Sequence, residues 1–468
     1  MNSSEGFIAC ARQELGPDRV ITDRDDCSAY ERDYFGRSGQ ALAVLCPKST
    51  AETSAALRLC ARYAVTVVPQ SGRTGLVGAS TPDDSGRQVI LSLCGIDQVG
   101  HLDAANRSIH VGAGVRMSRL RQVLAPAGLW FPFDIAADPC VGGMLATNTG
   151  GSHLMRFGDV RSSVLGVEAV LADGTVVDSL KALRKDNAGF DCKQLFIGSG
   201  GGLGVITGAV LALQRRPVAR VSALLLPHSH ERIPELLSWL EARYGDLIIS
   251  FEGLSGNAIR YAYRAFPDLP QHFEASGIPD YVVLVELASA GLFQAQSLAA
   301  DVHDSVAQLV SRAAIRGALV GDEADYWALR DAVPRALMKL PRVISLDVAF
   351  ARSRLTQFRV AVQQLLSTQY PGAVLADFGH FGDGGDHVTI VVPDDCPTGA
   401  TRLALMRLRV AVYDLVAEYG GSFSAEHGVG PLNESAYRRY TPPTTRRVHS
   451  SIKRLLDPAQ RLGRLGMT

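Results

Sequence analysis

The sequence predicts an α+β protein of more than one domain. Its 468 residues exceed what one hydrophobic core usually organises. In the first half, short apolar runs such as VTVVP and QVILSLC alternate with helical stretches and lead into glycine-rich turns. In the second half, longer helical stretches alternate with strands such as YVVLVELAS, a pattern typical of an α+β sandwich. The change falls near RRPVARV, so we place a boundary near residue 217.

The individual elements follow from local patterns. ALAVLCP, AETSAALRLCARYA and VTVVPQSG read as strand, helix and strand. VLGVEAVLADGTVVD predicts a hairpin that turns at Asp173 and Gly174, since Asp-Gly favours a tight two-residue turn. ERIPELLSWLEARYG is a predicted helix of the second half, and VISLDVAFA and HVTIVVP are predicted strands. The chain ends with GGSFSAEHGVG and a polar helix, TPPTTRRVHSSIKRLLDP.

Composition and charge exclude several functions. Lys plus Arg and Asp plus Glu both total 47, so the formal net charge is zero and nucleic acid is not an expected partner. No apolar stretch approaches the roughly 20 residues of a spanning helix, and the N-terminus lacks a secretory pattern. The 8 cysteines form no C-x-x-C pair, which favours reduced thiols and a cytoplasmic location.

Three stretches are rich in glycine, serine and threonine: PQSGRTGLVGAS (69–80), GGMLATNTGGSHLMRFG (142–158) and GSGGGLG (198–204). None ends like a Walker loop, and the third does not fit G-x-G-x-x-G. Any one of them could be a tight turn between strands. Together, three such loops can wrap an extended ligand such as a dinucleotide with an uncharged ring system, because glycine permits close backbone approach.

The stretch GHFGDGGDH (379–387) places two histidines on either side of a flexible turn. Read alone, it is either a surface loop with two solvated histidines or part of a metal site.

These motifs together resemble the vanillyl-alcohol-oxidase-type flavoproteins, and within them the D-2-hydroxyacid dehydrogenase branch, which includes D-2-hydroxyglutarate and D-lactate dehydrogenases. PQSGRTGLVGAS, DPCVGGMLATNTGGSHLMRFGDVRSSVLGVEAVLADGTVVDSL and RKDNAGFDCKQLFIGSGGGLGVIT carry the resemblance, which runs from about Ala41 to Leu456. It implies a two-subdomain PCMH-type FAD-binding domain (1–217), an α+β substrate or cap domain (218–420) and a C-terminal helical segment (421–468) that returns to the flavin.

The resemblance also implies the cofactor contacts. FAD is expected to be bound non-covalently, because His153 in the second loop lies outside any attachment motif of the family. The residues expected to contact FAD are Pro69, Ser71, Gly72, Arg73, Thr74, Gly75, Leu76, Gly78, Ser80, Asp134, Gly142, Gly143, Thr147, Asn148, Gly150, Gly151, Gly158 and Val205.

By the same resemblance, GHFGDGGDH and SAEHGVG (424–430) build a divalent-metal site from His380, His387 and Glu426. Two imidazoles and a carboxylate are a catalytic type of zinc set with an open position. A neighbouring His427 is the expected general base, because imidazole titrates near neutrality. Arg330 is expected to hold the substrate acid group by bidentate pairing, and Thr389 to contact the substrate.

The sequence departs from the family pattern at several positions. GDGNLH has become GDGGDH, with Gly385 and Asp386, and GSEGTLG has become GSGGGLG, which removes a carboxylate at Gly200. The usual LNPGK ending reads RLGRLGMT. Where the family has a threonine four residues after the arginine, this chain has Pro334, and where the family has a lysine it has Ser345. We therefore expect the substrate to be a hydroxy acid with a neutral or differently shaped tail. Lys339 or Arg342 could instead supply the missing positive charge.

The leading hypothesis is an FAD- and metal-dependent dehydrogenase that oxidises a D-2-hydroxy acid to a 2-oxo acid. An oxidase using oxygen and a flavin-binding protein without turnover are the alternatives. The ether-lipid synthase branch of this fold is disfavoured, since its site uses consecutive histidines where this chain has Ser-Ala-Glu-His. An electron-transfer flavoprotein, a quinone or oxygen is the expected electron acceptor, and a homodimer is one option for assembly.

Overall fold

We describe a computed structural model of the chain, covering residues 3–135, 137–273, 277–291, 294–321, 323–393, 396 and 401–467. The chain divides into two compact units. The first unit comprises Met1–Gly151, Gly158–Arg216 and Glu426–Thr468, and the second comprises Ser152–Phe157 and Pro217–Ala425. The C-terminal segment thus joins the first unit from Glu426, five residues after the predicted start of that segment at residue 421.

The helices and strands up to residue 216 are, in chain order, α1 Ser3–Leu15, β1 Val20–Ile21, α2 Arg24–Ser28, β2 Ala41–Leu45, α3 Thr50–Arg62, β3 Thr66–Gln70, β4 Gln88–Ser92, β5 Val99–Asp103, β6 Ser108–Gly112, α4 Met117–Leu124, β7 Leu129–Trp130, α5 Val141–Thr147, α6 Leu154–Phe157, β8 Val164–Val170, β9 Val176–Ser179, α7 Lys193–Phe196, β10 Val205–Ala212 and β11 Gln214–Arg215.

The elements that follow are β12 Ala219–Pro227, α8 Ile233–Tyr244, β13 Ile248–Ser255, α9 Gly256–Ala265, β14 Tyr281–Ser289, α10 Ala295–Ser311, β15 Ile315–Gly321, α11 Glu323–Leu337, β16 Val343–Ala349, α12 Arg352–Gln369, β17 Val374–Leu375, β18 Phe378–Gly379, β19 Gly385–Val391, α13 Arg402–Glu418, α14 Gly430–Tyr440 and α15 Pro443–Leu456.

The first unit contains two larger sheets. One has the order β1-β2-β4-β3, and its strands β2 and β3 both run parallel to β4, with α3 as the crossover helix. The Ser49 side chain starts that helix by accepting a hydrogen bond from the Glu52 amide. The other sheet is antiparallel, in the order β5-β6-β10-β8-β9. The predicted hairpin is confirmed: β8 pairs with β9 around Gly174, whose φ is 86°.

Each sheet of the first unit has its own apolar core. Side chains of α1, α3 and strands β2 to β4 pack together, among them Phe7, Leu57 and Leu91. A second cluster joins α4, α5 and the antiparallel sheet, and includes Phe131 and Phe133. The two sheets with separate cores agree with the two subdomains expected for this part of the chain, and the glycine-rich loops start from buried strands.

The second unit is built on one large sheet. Its strand order is β15-β12-β14-β13-β18-β19-β16, and β17 also pairs with β19. Helices α9 and α11 cover one face through buried residues such as Ile259 and Leu329. The central strands β13 and β14 are buried along their whole length, so a charged residue there needs a partner. Within the described residues, no helix has the length and apolar character needed to cross a membrane.

Candidate functional site

The three glycine-rich loops converge in the first unit. A Cβ added at Gly72 would lie 2.9 Å from the backbone nitrogen of Cys140, and one at Gly143 would lie 2.7 Å from the Ser71 hydroxyl. The third loop meets the second through backbone hydrogen bonds: the Gly198 amide to the Leu145 carbonyl (2.9 Å) and the Gly200 amide to the Ala146 carbonyl (2.8 Å). Only glycine allows these backbones to come so close.

Polar groups at these loops are available to a ligand. The Ser199 hydroxyl and the Gln70 side-chain carbonyl are buried, and neither makes a hydrogen bond within the described residues. Buried polar atoms normally have partners, because leaving one unpaired costs about 1–3 kcal/mol. The loops therefore fit a cofactor with many polar atoms, which would supply those partners.

Some of the predicted FAD contacts are already engaged within the loops. The Asn148 side chain donates to Asp159 (2.6 Å) and accepts from the Arg161 amide (3.2 Å), and its backbone is left-handed at φ 51°. Arg73 lies over the Tyr30 ring, 5.3 Å from its centre. Asn148 thus also shapes the loop, and its role as a cofactor contact stays a prediction. Val205 is a fully buried core residue of β10.

The C-terminal tail packs against the first and third loops of the same unit. Leu462 pairs with Val67 beside the first loop, and Arg464 donates to the Thr81 carbonyl at 2.7 Å. Leu465 fills the space over Gly202, where an added Cβ would lie 2.3 Å from a leucine methyl group. The unusual RLGRLGMT ending therefore complements the equally unusual GSGGGLG loop.

The second loop does not stay in one unit, contrary to its prediction as a single loop over 142–158. Its central part, Ser152–Phe157, belongs to the second unit because it is bound to that sheet. The Ser250 hydroxyl donates to the Ser152 carbonyl at 2.8 Å, and Arg156 donates to the Ala288 carbonyl at 2.8 Å. His153 is buried there, with Nε2 3.8 Å from a Glu286 oxygen.

In the second unit, the GHFGDGGDH stretch forms a tight turn between β18 and β19. The carbonyl of His380 accepts from the amides of Asp383 (3.1 Å) and Gly385 (3.0 Å). Gly382 has no room for a side chain, since an added Cβ would lie 2.0 Å from the Met155 sulfur. The turn brings the rings of His380 and His387 to 5.4 Å between centres, at 75° to each other.

A buried carboxylate connects this turn to the arginine expected to bind the substrate. Glu252, on the central strand β13, is 1% exposed. One of its oxygens lies 2.8 Å from His380 Nδ1, and the other accepts from Arg330 Nε at 2.9 Å. Burial raises the pKa of Glu252, but His380 and Arg330 outweigh it and lower the pKa to about 2. The carboxylate is therefore ionised at neutral pH.

Arg330 itself is held from two sides. Its Nε is bound to Glu252, and its guanidinium lies 5.5 Å from the centre of the Phe378 ring. Its two terminal amino groups make no hydrogen bond to the described residues. The outer end of the guanidinium can therefore take an acid group of a ligand.

Both halves of the chain match families of FAD-linked enzymes. Residues 41–179 match the family described as FAD binding domain, and residues 258–465 match FAD linked oxidases, C-terminal domain. The probable mitochondrial D-2-hydroxyglutarate dehydrogenase of Oryza sativa subsp. japonica is 32% identical, over 98% of this chain and 80% of its own. The D-2-hydroxyglutarate dehydrogenase of Danio rerio is 31% identical, over 95% and 82%.

This chain belongs to the D-2-hydroxyglutarate and D-lactate dehydrogenase family of FAD-linked oxidoreductases. It is an FAD-dependent enzyme. Among solved structures, p-cresol methylhydroxylase matches with a TM-score of 0.74 at 15% identity, over 100% of this chain and 96% of its own. An alkyldihydroxyacetonephosphate synthase matches at 0.70 and 16%, over 97% and 84%. These two likenesses establish the shared fold.

Within this family frame, the remaining site residues fall in two places. Asp347 and Ser345 of β16 pair with His387 and Thr389 of β19, so all four side chains share one sheet face. His387 Nδ1 is 3.7 Å from an Asp347 oxygen, and Thr389 is 1% exposed. In the first unit, a Glu426 oxygen accepts from the Gly151 amide at 3.3 Å, so this predicted metal ligand contacts a predicted flavin loop.

The departures from the family pattern have structural consequences. Asp386 is buried, and burial together with the charge of Asp377 raises its pKa well above the usual range. Pro334 lies inside α11, one turn after Arg330, and having no N–H it cannot bond to the Arg330 carbonyl.

Sequence reasoning missed two residues that contact predicted site positions. Glu252 lies in the apolar run LIISFEGL, and a lone acid in a buried strand was the signal that could have identified it. Arg409, on α13, donates to the Ser345 carbonyl at 3.2 Å. Nothing in the sequence links it to residue 345. Lys339, which we considered for this role, lies 4.1 Å from the centre of the Phe266 ring.

Proposed function

We propose that the protein oxidises the hydroxyl group of a D-2-hydroxy acid to a 2-oxo acid, with FAD as the hydride acceptor and a divalent metal, for which zinc fits, at the hydroxyl. The observation that carries the proposal is the continuous contact from Arg330 through Glu252 to His380, beside His387. It joins an anion-binding group to an imidazole pair. The relatives named D-2-hydroxyglutarate dehydrogenase support the substrate class.

The proposed metal ligands are His380, His387 and Glu426. The course of the chain supports the third ligand. The Ala425 amide donates to the Asp347 carbonyl at 3.2 Å, and Asp347 is paired with His387 across the sheet. Glu426 follows by one peptide bond, so its Cα is about 3.8 Å from that of Ala425.

His380, His387 and Glu426 would hold a metal ion that supplies a Lewis acid for the substrate hydroxyl, and the glycine-rich loops would hold FAD, which supplies the hydride acceptor. The residues of the chain orient the substrate and take up its proton. Arg330 pairs with the carboxylate next to the reacting carbon. His427 receives the hydroxyl proton as general base, since the alcohol gives up a hydride only as that proton leaves.

The second end of the substrate is proposed to carry a negative charge. The neutral tail expected from Ser345 rested on the absence of a cation at that position. A cation beside this position supports a charged tail instead: the Arg409 guanidinium donates to the Ser345 carbonyl on the edge of β16. The yeast D-2-hydroxyglutarate–pyruvate transhydrogenase, 29% identical over 96% of this chain and 92% of its own, is a further relative whose name contains a diacid.

Several finer points stay predictions. They are the electron acceptor, a homodimer and the cytoplasmic location; the plant and fish relatives carry the word mitochondrial in their names. Two alternatives remain tied to the same site: an oxidase that uses oxygen, and a flavin-binding protein without turnover.

A product assay tests the proposed function. Purified protein is incubated with D- and L-hydroxy acids and a dye acceptor, and 2-oxo acid is measured by hydrazone formation. We expect product from D-2-hydroxy acids and much less from their L forms. Absence of 2-oxo acid with every D substrate refutes the proposal, and turnover with oxygen alone favours the oxidase.

The flavin attachment is tested separately by acid precipitation. The expected non-covalent FAD appears in the supernatant, whereas yellow colour that stays with the pellet contradicts it.

A further inference from the structure

Glu252 has a position that the reaction itself does not explain. It lies on β13, opposite Leu284 of β14, in a strand whose other described side chains are also buried. Burying a carboxylate is costly unless both oxygens find strong partners. Here the two oxygens are divided between His380 Nδ1 (2.8 Å) and Arg330 Nε (2.9 Å). One carboxylate therefore holds a proposed metal ligand and a proposed substrate-binding residue together.

The contact with Glu252 determines which nitrogen of His380 carries its proton. A carboxylate can only accept hydrogen bonds, so Nδ1 of His380 must be the donor. In a neutral imidazole the other nitrogen, Nε2, then has the lone pair that a metal ion requires. Metal-ligating histidines commonly donate their second ring N–H to a carboxylate in this way.

The contact with Arg330 has a parallel effect. Binding through Nε fixes the plane of the guanidinium, while the Phe378 ring lies 5.5 Å from its centre. The two terminal amino groups, which make no hydrogen bond to the described residues, keep their fork geometry for an incoming carboxylate. An arginine without this anchor would have to be ordered at the moment of binding, at a cost in affinity.

We propose that Glu252 is a positioning residue that sets the metal-binding tautomer of His380 and the carboxylate-binding orientation of Arg330 at the same time. The proposal rests on the proposed function, because it takes His380 as a metal ligand and Arg330 as the substrate-binding arginine. It has a consequence that neither role has alone: one substitution at Glu252 weakens metal binding and substrate binding through two separate contacts.

Glu252→Gln separates this role from simple packing, because the side chain keeps its shape. A glutamine has one acceptor oxygen and one amino group, so it cannot accept from both neighbours. If the amino group faces His380, the ring must accept at Nδ1 and carry its proton on Nε2, the nitrogen needed by the metal. If the amino group faces Arg330, it meets the Arg330 Nε–H group, and two hydrogen-bond donors then face each other. Either arrangement disturbs one of the two contacts.

The matched control is Glu286→Gln. Glu286 is also 1% exposed, lies on the adjacent strand β14 and has partners in Arg220 (3.1 Å) and Trp327 (3.2 Å). It has the burial and the paired charge of Glu252 without a contact to His380 or Arg330 among the described residues. A general effect of removing a buried charge from this sheet would therefore appear in both variants.

Metal affinity is measured on the FAD-loaded protein by competition of zinc with a chelating dye, in the absence of substrate. We expect Glu252→Gln to weaken zinc binding by about 10–100-fold and Glu286→Gln to leave it unchanged. With zinc at saturation, kcat of Glu252→Gln should recover while KM for the hydroxy acid stays raised. Unchanged zinc affinity, or recovery of both kinetic constants with zinc, overturns the proposal.

A measurement on the wild-type protein covers the case in which Glu252→Gln fails to fold. Protein labelled with ¹⁵N-histidine, loaded with zinc, should show the His380 signal, assigned with His380→Gln, protonated on Nδ1. Protonation on Nε2 overturns the proposal. Because the zinc and NMR measurements need no turnover, a protein that binds zinc in this way but oxidises no hydroxy acid refutes the proposed function and leaves the role of Glu252 standing.

Discussion

The two units of the protein organise their functional groups in opposite ways. In the first, the predicted cofactor loops meet through backbone atoms, and glycines such as Gly72 and Gly143 provide the space. In the second, the site is made of buried charged side chains, with Glu252 between Arg330 and His380. The loops of the first unit can meet because their glycines have no side chains. The site of the second unit requires that each buried charged side chain keeps its own partner.

This difference predicts two kinds of mutational behaviour. In the first unit, substitutions of the loop glycines should act through steric conflict, so they change stability and FAD affinity together. In the second, removal of one charged partner leaves another buried without compensation, so the effects should appear in metal binding and in kinetics.

The largest effect is expected for His427→Ala. Loss of a general base typically slows a reaction by about 10²–10⁴-fold. Flavin reduction followed by stopped flow should slow to this extent, while the absorbance spectrum still shows bound FAD. A variant that reduces its flavin at the wild-type rate removes His427 from the mechanism.

A smaller but distinct effect is expected for His387→Ala. Loss of a direct ligand should weaken metal binding at least as much as loss of a supporting partner, about 10–100-fold. Elemental analysis after dialysis checks this. His303→Ala, an exposed histidine on α10 of the same unit, is the control and should keep its metal. Equal metal content and full turnover in both variants would exclude His387 as a functional ligand.

Arg409→Gln tests the proposed contact with the substrate tail. Loss of one charge-assisted hydrogen bond costs about 1.5–3 kcal/mol, a tenfold to hundredfold change. We expect kcat/KM for D-2-hydroxyglutarate to fall by this factor while that for D-lactate changes little. The control is Arg407→Gln, an exposed neighbour on α13. If kcat/KM falls equally for both substrates, Arg409 does not contact the substrate tail.

The smallest effect, on stability, is expected for Gly151→Ala. Its φ of 76° strains any other residue by about 1–2 kcal/mol, and the new Cβ would lie 2.7 Å from the Asp134 carbonyl. Gly128→Ala is the control: its φ of 64° gives a similar backbone strain, but no atom lies within 4 Å of the added Cβ. Thermal unfolding should show a larger loss for Gly151→Ala, together with weaker FAD binding. Equal losses would mean that the close approach is unimportant.

The two sites also differ in how far the sequence could predict them. The loops at 69–80 and 198–204 can be recognised from the sequence, because close backbone contact accepts only glycine. The need for close contact therefore appears directly as glycine residues in the sequence. The partnership of Glu252, Arg330 and His380 cannot be recognised in this way, because these residues are far apart in the chain and meet only through sheet pairing. The same holds for Arg409 and Ser345, which are joined by a side-chain-to-backbone contact that no local pattern encodes.

Boundaries show the same limit. The sequence predicts a domain boundary near residue 217, where glycine-rich turns give way to longer helical stretches. In the structure, the main part of the second unit begins at Pro217. The sequence does not indicate that Ser152–Phe157, in the middle of the second glycine-rich loop, belongs to the second unit. That placement depends on Ser250 and Ala288, which lie about a hundred or more residues later and supply the tertiary hydrogen bonds.

Anaerobic reduction of the bound flavin tests the central claim most directly. The oxidised protein is mixed without oxygen with D-2-hydroxyglutarate, D-lactate, D-malate and the corresponding L acids, and the flavin absorbance is followed. We expect rapid loss of the yellow colour with D-2-hydroxy acids, fastest with the diacids, and little change with the L forms. A flavin that stays oxidised with every D-2-hydroxy acid, in protein loaded with FAD and zinc, would contradict the central claim.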